Sequence, residues 1–171
     1  MTRNELNAGL MAIGAKITSK ITIVISGSGA LVLGEHISRE PDDCDVGDVS
    51  PSAEADNIVS TGNEGAEELG YTENWFNTSC MAWQEEFPTG WQLRTVEYKT
   101  FDNLTVRLMS RPDCVSMLVL RMMNGEPERD LIDVNEMGLT GTERTLILAH
   151  TNHLSDLGYD MSRPQIAFGL L

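Results

Sequence analysis

Asp43 and Asp45, in the run Arg39-Glu40-Pro41-Asp42-Asp43-Cys44-Asp45-Val46, are two carboxylates separated by one residue. On an extended strand such residues point to the same face, so both acids can reach one point. Two like charges that close are costly unless a cation lies between them. Mg²⁺ takes oxygen ligands and keeps several waters, so two protein carboxylates plus substrate phosphates are enough to hold it. An exposed acidic turn without metal is the plainer alternative, and on Asp-x-Asp alone it stands ahead.

A second feature lies upstream, where the turn Ser26-Gly27-Ser28-Gly29 follows an apolar run. A strand, small residues and a helix together offer bare amides and a positive dipole end, which suit a phosphate. A P-loop is excluded because no Gly-Lys-Ser/Thr closes the turn. A dinucleotide fingerprint would have Gly27 and Gly29, with Asp45 near the distance of a ribose-binding acid, but Val32 stands where its third glycine belongs. A tight turn that only packs helix on strand fits equally well.

The elements that must position these residues are legible in outline. Leu6, Leu10, Ile13 and Ile17 lie on one face of an opening helix. Ile21–Ile25 is apolar and β-branched, the pattern of a buried central strand. Ala30–Leu33 is expected as a short helix, Cys44–Val49 as a strand, and 51–69 as a helix weakened by Gly62 and Gly65 and stopped at Gly70. Strands are expected at Leu93–Thr100 and Leu104–Leu108, joined by a hairpin at Phe101-Asp102-Asn103. Leu104, Val106 and Leu108 alternate with Thr105 and Arg107, so one face is buried. Pro112 opens a helix with a stripe of Val115, Leu118, Val119 and Met122 that Asn124-Gly125 ends. Pro127 starts the next helix, and Thr140 with Glu143 has capping-box spacing before the last. The expected fold is α/β (α+β): a small mixed sheet with flanking helices, followed by C-terminal helices. Residues 1–110 form the sheet core and 111–171 a helical part packed on it, as a single compact unit.

The order strand, Gly-Ser turn, short helix, Arg39 and Asp43-x-Asp45 resembles the minimal nucleotidyltransferase superfamily, the polymerase-β-like fold. Within it the chain is most similar to bacterial toxin-type and uncharacterised nucleotidyltransferase-like proteins. These share a later basic residue on a helix, a break, and Arg-Asp-x-x-Asp, here Arg121 and then Arg129-Asp130-Leu131-Ile132-Asp133. The likeness spans about residues 20 to 137. It implies that Gly27 and Ser28 hold the triphosphate of a nucleotide, that Asp43 and Asp45 bind Mg²⁺, that Arg121 contacts phosphate, and that Asp130 orders the site. Ser26 departs from the pattern by replacing a glycine, and Pro41 by replacing a threonine. For the third carboxylate, which would activate the acceptor hydroxyl, the candidate is Glu97, with an outward-facing strand residue as its competing reading. Asp102 reads as a turn residue and Asp113 as a first-turn helix acid. Asp130 and Asp133 share a face beside Leu131 and Val134, although Arg129 and Asp133 could instead form an ordinary surface ion pair.

Composition narrows the classes. The net charge is −14 over 171 residues, and Glu35 to Glu73 contributes −11 of it with twelve carboxylates against Arg39 alone. Arg94 to Arg129 holds six of the twelve Lys and Arg, so an RNA acceptor would have to meet that region. A hydrophobic fraction of 41 % excludes a disordered acidic tail, and no apolar stretch is long enough to span a bilayer. No signal peptide is visible. Cys44, Cys80 and Cys114, odd in number and scattered, suit reduced thiols in a cytoplasmic protein. His150 and His153 lack a third zinc ligand nearby, and Trp75, Trp83 and Trp91 read as packing or groove-lining aromatics.

The expected function is therefore Mg²⁺-dependent transfer of a nucleotidyl group from a nucleoside triphosphate to a hydroxyl of RNA, protein or a small molecule. A toxin–antitoxin setting, with an antitoxin or other partner protein, follows from the resemblance alone. The alternative is a catalytically inactive relative kept as a binding or regulatory module. A nicotinamide-dependent oxidoreductase would need a longer parallel sheet.

Overall fold

The computed structural model describes residues 1–64, 66–124 and 127–162, with side chains for all of these except 122–124 and 127–129. Gly65, Gly125 and the side chains of Met122 and Arg129, which enter the reading above, lie outside the described residues.

Helix α1 (Arg3–Lys16) opens with a capping box between Thr2 and Glu5 and buries Leu6, Leu10 and Ile13. Ile17 follows as the cap and is also buried. Strand β1 (Ile21–Ile25) is the middle of a five-stranded mixed sheet. The others are β2 (Cys44–Ser50), β3 (Phe76–Asn77), β4 (Val96–Phe101) and β5 (Leu104–Leu108), and the spatial order is β3-β2-β1-β5-β4. β1 runs antiparallel to β2 and parallel to β5, with Ile25 opposite both Val46 and Leu108. One face of the sheet is apolar: Ile21, Ile23, Ile25, Leu104 and Val106 are almost fully buried. Opposite β1, Gly47 is an extra residue in β2, because Val24 pairs with Asp48 and Ile25 with Val46.

Three local expectations are corrected. The helix after the turn, α2 (Gly27–Leu33), starts at Gly27 rather than Ala30, because the Ser26 carbonyl already accepts from Ala30 N–H. The helix expected over 51–69 is divided into a 3₁₀ turn (Ser52–Glu54), α3 (Ala55–Asn63) and a second 3₁₀ turn (Glu67–Leu69). α3 stops where Asn63 turns its amide to the carbonyls of Val59 and Phe76. Leu93 belongs to a 3₁₀ turn (Trp91–Arg94) and the strand begins at Val96, since the Arg94 guanidinium binds the Thr89 carbonyl and the Asp113 carboxylate. β3 and a 3₁₀ segment at Ser79–Glu86 carry no period that would reveal them in the sequence.

The C-terminal helices are α4 (Arg111–Asn124), α5 (Pro127–Met137) and α6 (Gly141–Asp156), the last capped by the expected Thr140–Glu143 box. α4 packs on α2 and on α6, and α5 on α4. Asp113, in the first turn of α4, is buried and tied to Arg94 at 2.5 Å and to Ser110. No helix among the described residues is long and apolar enough to cross a membrane.

Candidate active site

The end of β1, the turn after it and the start of β2 form one corner of the sheet. Ser26 N–H donates to the Asp45 carbonyl at 2.9 Å and so joins the turn to β2. Gly27 follows with φ +58°, a conformation that glycine adopts without strain. A Cβ on Gly27 would stand 3.5 Å from Asp45 Oδ2, so the space before this carboxylate is kept bare. Ser28 and Gly29 are buried behind it, and a Cβ on Gly29 would press on Ile25 at 3.3 Å.

Only Asp45 lies within β2; Asp43 precedes it in a bend, and the two carboxylates are close enough to repel. Burial, and next the charge of Asp43, push the Asp45 carboxyl up to about 6, while an Asn77 hydrogen bond and the charge of Arg121 act in the opposite direction. Asn77 of β3 sits opposite Asp45 and donates through Nδ2 to Asp43 Oδ2 at 3.3 Å. The two acids offer carboxylate oxygens, crowded together beside an uncovered backbone. Such a set fits a hard divalent cation such as Mg²⁺.

Arg121 projects from α4 half-exposed, its Nη2 3.4 Å from Oδ1 of Asp130, which is 1 % exposed in α5. One turn on, Asp133 is fully buried and accepts from Arg39 Nε at 2.6 and 2.8 Å. Glu136 accepts from the backbone and hydroxyl of Ser38, and these bonds hold its carboxyl below the usual range. Asp133 is therefore a buried anchor for the loop that leads to Asp43, which excludes a surface ion pair as its main role.

Glu97 is exposed on the edge strand β4, opposite Arg107. Two strands separate β4 from β2, a distance of roughly 14 Å at ordinary strand spacing. The fold thus brings Gly27, Asp43, Asp45 and Arg121 to one neighbourhood, with Asp130 behind Arg121, and leaves Glu97 apart. Trp75 and Trp91 are core residues, whereas Trp83 is 47 % exposed. His150 is buried and His153 exposed, and no group of three metal-ligating side chains occurs among the described residues.

Two neighbours of the site are not among the residues expected there. One is Asn77. The other is Cys80, whose Sγ lies 3.3 Å from Ser26 Oγ and donates to the Val46 carbonyl. Burial pushes its thiol up to about 12, which makes it a poor nucleophile. Their only signal was position, a polar Asn and a Cys in a segment of no clear period. A cavity of about 360 Å³ at the Arg39 loop, lined in part by Arg3, His36 and Glu136, includes neither aspartate.

A family model described as "Nucleotidyltransferase of unknown function (DUF6036)" matches residues 8–162. No curated protein and no solved structure matches the chain.

Proposed function

The chain belongs to this nucleotidyltransferase family, and on that premise we propose that it moves a nucleotidyl group from a nucleoside triphosphate to a hydroxyl acceptor, with Mg²⁺ held by Asp43 and Asp45. The observation that carries the proposal is the Asp45 carboxylate, crowded by Asp43 and fronted by the bare backbone of Gly27.

Mg²⁺ at this pair would neutralise phosphate charge and favour ionisation of the acceptor hydroxyl. The protein's own contribution is positioning. Gly27, having no side chain, lets phosphate oxygens approach the backbone, and the Ser28 hydroxyl lies in the same turn. Arg121 offers a planar guanidinium to a phosphate, and Asp130 behind it restricts where that guanidinium points. Arg39, clamped by Asp133, fixes the loop from which the acids emerge.

The test is binding of the four nucleoside triphosphates with and without Mg²⁺, followed by release of pyrophosphate with candidate RNA, protein and small-molecule acceptors. Mg²⁺-dependent binding that Asp45→Asn abolishes is the expected result. Equal binding by wild type and Asp45→Asn overturns the proposal.

One observation favours a second reading, a non-catalytic binding or regulatory protein. The side chain that reaches the aspartate pair from β3 is the neutral Asn77, and Glu97 lies far off. Nucleotide binding without pyrophosphate release under any acceptor would establish this reading over the first. Three free thiols support a reducing, cytoplasmic setting. For the toxin–antitoxin setting the check is growth arrest on expression, relieved by Asp45→Asn.

A further inference from the structure

Asn77 stands at the aspartate pair with its orientation fixed from two sides. β3 runs parallel to β2 and sets Asn77 opposite Asp45. Ser79 N–H donates to Asn77 Oδ1 at 3.0 Å, which occupies the carbonyl end of the amide. The Nδ2 end is thereby turned to the acids and donates to Asp43 Oδ2 at 3.3 Å. Residues opposite each other on paired strands carry their side chains on the same face, so this amide also stands beside Asp45. A carboxylate in this place would repel both aspartates, and an apolar residue would leave their mutual repulsion unopposed.

Resting on the transferase reading and deepening it, we propose that Asn77 is a positioning residue that holds Asp43 and Asp45 together as a pair before the cation arrives. Without it the two side chains would rotate apart, and binding would first have to gather them. With it the oxygens are already placed, so the ordering cost falls before the ligand is met. Because its own oxygen is engaged by Ser79, Asn77 serves the cation through the aspartates rather than as a ligand.

The side chain has two bonding ends, and one substitution separates them. Asn77→Asp retains an oxygen for Ser79 N–H and nearly the same volume, but exchanges the donor for a third negative charge. Asn77→Ala removes both ends. The full chain is titrated with Mn²⁺ alone, followed by electron paramagnetic resonance, and melted without cation at neutral pH. Asn77→Asp is expected to melt below wild type without cation yet bind Mn²⁺ roughly tenfold more tightly, because one more carboxylate faces the ion. Asn77→Ala should bind Mn²⁺ several-fold more weakly than wild type, by an amount that stays within about one order of magnitude. A role limited to the Ser79 turn would lower the stability of Asn77→Ala and leave its Mn²⁺ affinity equal to wild type, and that result overturns the proposal. If Asn77→Asp folds only in the presence of Mn²⁺, that is the expected result in its strongest form. If Asn77→Asp matches wild type in cation-free melting and in Mn²⁺ affinity, Asn77 only caps Ser79 and the proposal falls. Mn²⁺ binding that is absent, or equal in wild type and Asp45→Asn, removes the metal pair instead; the cation-free melting order then still decides whether Asn77 holds the aspartates.

Discussion

Arg39 and Asp133 are 94 residues apart in the chain, yet Arg39 Nε lies 2.6 Å from an oxygen of Asp133, which has no exposed surface. Removing one partner of such a pair leaves a buried charge without its counterpart. Asp133→Ala should cost about 3–5 kcal/mol of stability, measured by urea unfolding. The same variant should weaken Mg²⁺-nucleotide binding, since it frees the loop that carries Asp43. A loss below about 1 kcal/mol, the range of exposed pairs, would mean that the contact is not buried in solution.

Asp45 bears on stability with a definite sign. Its carboxyl in the folded chain titrates near 6, above its ordinary value of 3.8. The folded state therefore binds the proton more tightly, and stability falls as pH rises from about 4 to about 6. Without cation, Asp45→Asn should be more stable than wild type by about 3 kcal/mol at pH 7, and the advantage should vanish near pH 4. With Mg²⁺ and nucleotide at ten times the dissociation constant, wild type should gain about 1.4 kcal/mol, a melting shift of roughly 3–6 °C. Asp43→Asn and Asp45→Asn should each lose most of that shift, while Asp48→Asn and Asp56→Asn should retain it. Thermal melts across pH, with and without ligand, check both halves.

Arg121→Ala should weaken nucleotide binding by about 1.5–3 kcal/mol, the range for a hydrogen bond to a charged group. Mn²⁺ binding without nucleotide should change little. Calorimetry separates the two, and unchanged nucleotide affinity would leave Arg121 as a surface partner of Asp130.

His150 provides an acid limit. It is 5 % exposed, neither ring nitrogen has a hydrogen-bond partner among the described residues, and burial lowers its pKa to about 4. The unfolded chain takes up the proton near 6.5 while the folded chain does not, so stability is lost as pH falls from about 6.5 to 4. The loss should be about 3 kcal/mol. His150→Leu keeps the buried volume and should flatten this limb of the pH–stability curve. An unchanged acid limb in that variant would assign the loss to other groups.

What was legible in the sequence was local. Ile21–Ile25, the alternation of Leu104 to Leu108, and the Thr140–Glu143 box depend on neighbours within a few residues, and each has the expected structure. Asp43, Asp45 and Gly27 stand out in the sequence because their spacing carries its own physical reason, and the fold brings them to one corner. Asn77 does not stand out, because its two-residue strand exists only through pairing with Cys44 and Asp45. Likewise the Ser79–Glu86 segment is held by bonds from Cys80 and Gln84 to the carbonyls of Val46 and Gly47. For Glu97 the strand was readable but its rank in the sheet was not. β5 pairs parallel to β1, which sends β4 to the outer edge.

The bond from Ser26 N–H to the Asp45 carbonyl makes the glycine turn and the aspartate strand a single rigid gauge. On the proposed chemistry, the backbone that meets phosphate and the carboxylates that meet the cation are fixed relative to each other before any ligand arrives. A change that displaced one of the two would displace the other, so phosphate and metal contacts at this corner would be lost together rather than one at a time.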